Sequence, residues 1–205
     1  MIQKIEKIIM GIVFGGIPVV TCFLAGWWLS YLYLPEALIG PCSIGGLLLG
    51  VVLDVFLFRN GIQRIYAMKP VFWMLAYFFY SICVFGFFMG VPVFNVVLAL
   101  PAGLFVGGRL VRSGADLVQA RKFAKRTSIF TTAILLGVCL VSAMIALSDP
   151  STGANLEGLL GLSFEVTRSM IVAVILSGGL AILGLQWWLA EKSVVVSYKL
   201  LLSNT

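Results

Sequence analysis

The sequence predicts an all-α membrane protein, a bundle of six transmembrane helices with both termini in the cytoplasm. The first observation is composition: 61% of the 205 residues are hydrophobic and only 11% are charged, whereas soluble domains are about one-quarter charged. The second is the presence of six apolar runs near the roughly 20 residues that a membrane helix requires. The third is the placement of Lys and Arg, which orients the bundle.

The basic residues divide unequally between the two sides of the predicted membrane. When the six spans alternate in direction, every Lys and Arg except Arg168 falls on one side. Cytoplasmic loops carry the excess of Lys and Arg, so we assign this side to the cytoplasm. The same bias accounts for the net charge of +6 and gives no reason to expect nucleic-acid binding. We therefore expect a multi-pass protein of the cell membrane.

Local signals bound the spans of the first half. Span 1 is too long for the core of a cleavable signal peptide, so we expect it to be retained. Aromatic rings gather at its outer end, where they favour the headgroup level, and Pro35 ends it. Span 2 returns to the basic loop Arg59–Lys69, and aromatic-rich span 3 ends at the turn Val91-Pro92. The predicted spans, forming one polytopic domain over residues 1–205, are about 8–34, 37–58, 70–90, 93–111, 127–147 and 169–190.

The second half contains the longer connections. The basic stretch Arg112–Arg126 precedes span 5, and an outer loop over residues 148–168 follows that span. Asn155 is a suitable N-cap for a short amphipathic helix in this loop. The apolar residues of that helix recur at helical spacing: Leu156, Leu159, Leu160 and Phe164. At the other end of span 6, the segment 186–188 (Gln-Trp-Trp) indicates the inner boundary.

Few residues are suited to catalysis. The chain has no histidine, which removes the commonest metal ligand and the easiest proton shuttle at neutral pH. Its four cysteines lie singly in different apolar spans, without a Cys-x-x-Cys pair. No paired acids or Cys–His arrangement is visible. We therefore predict no enzymatic activity, no catalytic residue, no metal site and no cofactor.

Asp54 is the one acid inside an apolar run. A charge at the bilayer centre costs roughly 3 kcal/mol, so such residues are usually functional or paired. Asp54 lies one turn from the cytoplasmic end of span 2, within reach of Arg59, Arg64 or Arg109. We interpret Asp54 and Arg109 either as an inner gate of a pathway or as an ion pair that anchors helix ends. A further alternative for Arg109 is a topology anchor whose side chain snorkels to the membrane surface.

On the outer side, four residues could form a binding pocket with aromatic and acidic walls: Trp28, Tyr31, Glu36 and Asn95. Alternatively, the aromatic residues belong to the ordinary interfacial belt. Asn95 could instead make a hydrogen bond between helices.

A basic run lies just cytoplasmic of span 5 and contains Arg121, Lys122, Lys125 and Arg126. Such runs attract anionic lipid headgroups, at about 1 kcal/mol per charge near the surface. Docking of a partner protein is the alternative. Glycine pairs at a spacing of four, such as Gly46/Gly50 and Gly103/Gly107, predict close helix packing within the chain, against other membrane subunits or against a second copy.

The start of span 2 carries a family resemblance. Gly40-Pro41, the small residues Gly46 and Gly50, and Asp54 follow one another within about 15 residues. This arrangement resembles the corresponding pattern in S components, the membrane substrate-binding subunits of energy-coupling factor vitamin transporters. The resemblance implies capture of a vitamin-like molecule or a metal from outside, and docking on an ATPase-driven coupling module.

Two functions stay open. The first is a small solute-binding or permease-type transport module, favoured by Gly/Pro interruptions at residues 15–18 and 100–103, a pattern of transporter binding sites. The second is a non-catalytic accessory or assembly subunit of a larger membrane complex. The scarcity of polar groups inside the apolar spans favours the second, because a pathway for polar solutes should need more of them.

Overall fold

The computed structural model describes residues 2–58 and 63–203, and these ranges contain helices and turns without a strand. Two 3₁₀ helices, Glu36–Leu38 and Pro92–Leu98, lie between α-helices. The α-helices are α1 (Ile2–Tyr33), α2 (Ile39–Phe58), α3 (Gln63–Ala67), α4 (Pro70–Phe87), α5 (Ala99–Arg112), α6 (Leu117–Ser148), α7 (Thr152–Leu160) and α8 (Arg168–Leu202).

Six helical segments among the described residues are long and apolar enough to cross a membrane. This confirms the predicted class of a helical, multi-pass membrane protein by length and composition. Helices suit this environment because they satisfy their own backbone hydrogen bonds. The cytoplasmic position of both termini stays a prediction. The six segments are Ile5–Tyr33, Glu36–Leu57, Pro70–Phe87, Pro92–Arg112, Leu117–Ser148 and Arg168–Leu202.

Two helices extend well beyond the predicted apolar spans. Helix α6 begins at Leu117 rather than near residue 127, and α8 continues to Leu202 rather than ending near residue 190. The added segment of α6, residues 117–126, contains two Lys, two Arg and one Gln, which are good helix formers, and that of α8, residues 191–202, contains two Lys, one Glu and three Leu. Asp116 caps α6, because its Oδ1 accepts a hydrogen bond from the Gln119 N–H at 2.7 Å. Hydropathy therefore marks the edge of the apolar span and not the end of the helix.

The segment between α6 and α8 also contains a helix, α7, but its start differs from the predicted one. The helix begins at Thr152, so Asn155 lies inside it and is not the N-cap. The turn before α7 is organised by Asp149, whose Oδ1 accepts hydrogen bonds from the N–H and hydroxyl of Ser151. Gly161, in the left-handed conformation at φ 61°, ends the helix. The position of α7 on the outer surface stays a prediction.

The chain forms two compact units. The first contains Met1–Ala76 with Leu200–Thr205, and the second contains Tyr77–Lys199. The prediction of one domain over residues 1–205 is not tested by this division. Of the predicted basic loop Arg59–Lys69, residues 59–62 lie outside the described ranges, and the next five form α3.

In the first unit, α1 and α2 approach each other through glycines. A Cβ added at Gly50 would lie 2.5 Å from the Val19 Cα, and one at Gly26 would lie 2.6 Å from the Cys42 carbonyl oxygen. Only glycine allows the backbones of α1 and α2 to come this close.

Helix α1 is continuous through Pro18, so the interruption predicted at residues 15–18 does not end the helix.

In the second unit, glycines of α5 face α8. A Cβ at Gly107 would lie 2.8 Å from the Ser197 Cβ, and one at Gly103 would overlap Ser193. The second predicted interruption, around Pro101, coincides with a change of helix type, because the 3₁₀ helix Pro92–Leu98 becomes α5 at Ala99. Pro101 has no N–H to donate to the Val97 carbonyl, which is consistent with an α-helix that starts no earlier.

Candidate functional site

Five of the polar side chains that are buried in the second unit come together, although each belongs to a segment long and apolar enough to span a membrane. They come from four segments of the chain, and none is more than 7% exposed. Polar groups are costly inside a membrane unless they are paired, so a convergence of this kind is a candidate functional site. We call these residues the polar cluster: Tyr77 and Ser81 of α4, Asn95 of the second 3₁₀ helix, Thr131 of α6 and Gln186 of α8.

Hydrogen bonds connect the polar cluster. Gln186 Nε2 donates to the Tyr77 hydroxyl oxygen at 3.0 Å. The side chains of Thr131 and Ser81 also lie close to the Tyr77 hydroxyl. Asn95 Nδ2 donates to the backbone carbonyl of Ser81 at 2.8 Å. Ser81 follows Tyr77 by one helical turn, so the two residues lie on the same face of α4.

Each amide of the cluster has a buried oxygen for which no donor is found among the described residues: Asn95 Oδ1 and Gln186 Oε1. Exchanging the oxygen and nitrogen of Asn95 would not help, because Oδ1 would then face the Ser81 carbonyl, which is also an acceptor. Leaving a buried acceptor unpaired costs about 1–3 kcal/mol. The two amides therefore retain hydrogen-bonding capacity that this part of the chain does not use.

The turn before the 3₁₀ helix positions Asn95. Met89 and Gly90 both have positive φ, at 53° and 84°, and the Gly90 carbonyl accepts a hydrogen bond from Ser142 Oγ of α6 at 2.7 Å. Pro92 then starts the 3₁₀ helix. A 3₁₀ helix of seven residues is long for its type, and such stretches often mark strain or a functional hinge.

An apolar groove of about 390 Å³ adjoins the polar cluster between α4 and α6. Ser81 is the one residue of its described lining with a polar side chain, and it is also a member of the cluster. The groove is therefore an apolar volume with one polar side chain, that of Ser81, in its described lining. Its lining consists of Phe78, Ser81, Ile82 and Phe85 of α4 with Ala133, Ile134, Gly137, Val138 and Val141 of α6.

The predicted outer pocket involves both units. Trp28 and Tyr31 are exposed and make an edge-to-face contact with ring centroids 6.1 Å apart, and Glu36 is exposed at the start of the first 3₁₀ helix. These three residues belong to the first unit. Asn95 belongs to the second unit, where it makes the interhelical hydrogen bond that the sequence offered as an alternative. A pocket formed by all four residues stays a prediction.

Asp54 packs against α1. A Cβ added at Gly15 would lie 2.5 Å from Asp54 Oδ1, and Asp54 follows Gly50 by one turn on the face of α2 that contacts α1. Its proposed partner Arg59 and the side chain of Arg64 lie outside the described residues. Arg109 is half-buried in the last turn of α5, in the second unit. The gate and the ion pair both stay predictions.

The first unit contains a buried acid that the sequence did not single out. Glu6 is 1% exposed, and its Oε1 accepts a hydrogen bond of 2.5 Å from the Tyr66 hydroxyl. The two residues are 60 positions apart, and no local pattern connects them.

The basic run of α6 meets cations of α8 in a cleft of about 650 Å³. Arg126 is not among its described lining residues, and its guanidinium lies 5.7 Å from the centre of the Phe123 ring. We call this feature the basic cleft, and its lining is Arg121, Lys122, Lys125, Glu191, Lys192, Val195 and Lys199.

Several cluster residues were missed by sequence reasoning. Gln186 was interpreted as a marker of the inner boundary, yet it is fully buried. The available signal was the spacing of small hydroxyl residues along α6, where Ser128 and Thr131 are both fully buried. Ser128 donates to the Ala124 carbonyl of its own helix at 3.0 Å.

Comparisons of the chain with protein-family models, with curated proteins and with solved structures find no match.

Proposed function

We propose that the chain is a solute-binding transport module and that the polar cluster is its binding site. The observation that carries this proposal is the pair of buried amide oxygens, Asn95 Oδ1 and Gln186 Oε1, that lack a donor among the described residues. Inside a membrane, bulk water is not present to satisfy such groups. A solute that donates hydrogen bonds to these oxygens would recover the free energy that their burial costs.

The chemistry of the site selects a class of solute. All members of the polar cluster are uncharged, so a charged solute would find no counter-charge in the cluster. The adjoining groove is apolar, and its volume of about 390 Å³ is within the range of small-molecule sites. The favoured solute is therefore small and uncharged, with an apolar body and a few hydrogen-bond donors. The resemblance of residues 40–54 to S components supports the same general activity.

Thermal stabilisation of the purified full-length chain by small molecules tests this proposal. The probes are pairs of uncharged compounds of equal size, one member with a hydroxyl or amide donor and the other without. We expect the donor-bearing members to raise the melting temperature. Asn95→Leu and Gln186→Leu should reduce that effect, whereas Asn155→Leu, the same substitution at an exposed position of α7, should retain it.

Two results would contradict the proposal. One is equal stabilisation by the donor-bearing and donor-free members of each pair. The other is an unchanged ligand effect in the Asn95 and Gln186 variants. If no compound stabilises the chain and other proteins co-migrate with it in fixed stoichiometry in mild detergent, the accessory-subunit function is favoured instead.

A further inference from the structure

The basic cleft is formed by the parts of α6 and α8 that extend beyond the predicted membrane spans. These helices contain 32 and 35 residues, which corresponds to about 48 and 52 Å. The hydrocarbon core of a bilayer is only about 30 Å thick. Lys125 and Lys192 lie two residues outside the predicted span boundaries, at 127 and 190. The cleft is therefore placed beside the membrane surface and not within it.

Five cations and one acid line the cleft among the described residues. The cations come from both helices and are all exposed, while Glu191 is half-buried. Like charges that converge on one volume repel each other, and a single carboxylate offsets only part of that repulsion. An anion in the cleft would relieve it. Lys and Arg side chains are also the residues that bind phosphate, as a point charge and as a planar fork respectively.

The extent of the cleft along the helices indicates more than one anionic group. Lys192 and Lys199 are separated by seven residues, or about 10 Å along α8. Arg121 and Lys125 are separated by about 6 Å along α6. A single phosphate at the membrane surface would contact the cations nearest the membrane and leave the distal ones without a partner. A ligand with two phosphates contacts both sets.

We propose that the basic cleft binds a ligand carrying at least two phosphate groups, held jointly by the cations of α6 and α8. This differs from general attraction between a basic run and an anionic membrane, because it depends on residues of two helices and not on the run 121–126 alone. It also assigns different roles to two neighbours: Lys125 lines the cleft, and Arg126 does not. Two sources offer this chemistry, an anionic lipid headgroup or a soluble polyphosphate.

Binding to the full-length protein in an uncharged detergent tests the site. Inorganic pyrophosphate, measured by calorimetry, represents the soluble source, and orthophosphate is its one-phosphate counterpart. Cardiolipin, measured by native mass spectrometry, represents the lipid source, and phosphatidylglycerol is its one-phosphate counterpart. Because basic clefts are salt-sensitive, both arms are run at low and at physiological ionic strength.

Removing a cation and removing the acid of the cleft should change the affinity for the two-phosphate probe in opposite directions. Lys125→Gln and Lys192→Gln should each weaken binding of the two-phosphate probe about fivefold, the factor expected for one charge near the surface. Glu191→Gln removes the acid and should strengthen binding by a similar factor. Arg126→Gln, with the same change of charge one residue away, should have little effect. Gln is as good a helix former as Lys or Arg, so these exposed substitutions should leave the fold intact.

Each outcome decides the proposal. A selective effect on pyrophosphate supports a soluble ligand, and a selective effect on cardiolipin supports a lipid ligand. Equal weakening by Lys125→Gln and Arg126→Gln for both probes would overturn the site and leave only general attraction. Equal affinity for the one-phosphate and two-phosphate probes would overturn the assignment of two phosphates. Absence of binding for every probe would overturn the proposal altogether.

Discussion

The close contact between α1 and α2 can be tested by comparing two Gly→Ala substitutions in α2, because both change the intrinsic helix preference by the same amount. The perturbation is Gly50→Ala, compared with Gly45→Ala in the same helix. A Cβ at Gly50 would lie 2.5 Å from the Val19 Cα, 2.8 Å from the Pro18 carbonyl oxygen and 3.0 Å from the Val19 nitrogen, all of them backbone atoms. A Cβ at Gly45 would have nothing within 4 Å.

The magnitude follows from the shift that the helices must make. Ordinary contact begins at 3.4 Å, so Gly50→Ala requires a separation of roughly 1 Å, and rotation of a side chain cannot relieve it. Overpacking of this kind costs about 1–3 kcal/mol. Both substitutions gain about 1 kcal/mol of helix preference. The Gly50 variant should therefore be less stable than the Gly45 variant by about 1–3 kcal/mol, which is about 2–12 °C in melting temperature for a chain of this size.

The assay is unfolding of the purified variants in mild detergent, followed by circular dichroism under identical conditions. The melting temperature of the Gly45 variant should match or exceed that of the unsubstituted protein, and the Gly50 variant should melt below the Gly45 variant. If the two variants melt within 1 °C of each other, α1 and α2 are not in the close backbone contact described, and the reasoning is refuted. A lower melting temperature for Gly45→Ala alone would refute it as well.

Two further predictions concern carboxylates. Gly15→Ala should displace the Asp54 side chain and lower the free energy of unfolding. In an Asp54→Ala background that loss should be smaller, with a coupling of about 0.5–3 kcal/mol in a double-mutant cycle. Strictly additive effects would contradict the contact. The hydroxyl and backbone N–H of Ser151 hold the pKa of Asp149 below its ordinary value. The stability that Asp149 contributes is therefore present above the pKa of the unfolded state, and it is lost as the pH falls through the pKa of the folded state. Ser151→Ala should raise that pKa in an NMR titration, and an unchanged value would contradict the assignment.

The helical class and the six spans were accessible from the sequence because both depend on composition over long windows. Helix ends were less accessible, since α6 and α8 continue past the charged residues at which the predicted spans end. The 3₁₀ helix Pro92–Leu98 was missed for a related reason: Pro101 signals an interruption but does not specify the geometry on its N-terminal side. Side-chain periodicity reports which face is apolar, and it carries little information about helix type.

The candidate site was only partly accessible. Asn95 was identified as a candidate for solute binding or for an interhelical hydrogen bond, and Asp54 as the one acid in an apolar run, because each stands out against its neighbours. Tyr77 and Gln186 did not stand out, because both residue types are also common near membrane interfaces. Their 109-residue separation is bridged only by the packing of α4 and α8. Contacts at that distance along the chain are a property of the packing and leave no local pattern.

The polar cluster changes the balance between the two functions that the sequence left open. In the sequence, the scarcity of polar groups inside the apolar spans favoured the accessory-subunit function. The described structure instead brings together uncharged groups: the Tyr77 hydroxyl, the hydroxyls of Ser81 and Thr131, and two amides. A subunit whose role is only to pack against other chains gains nothing from leaving amide oxygens unpaired, because an apolar side chain of similar size would avoid that cost. The presence of both unpaired amide oxygens therefore supports the proposal of a solute that donates hydrogen bonds to them.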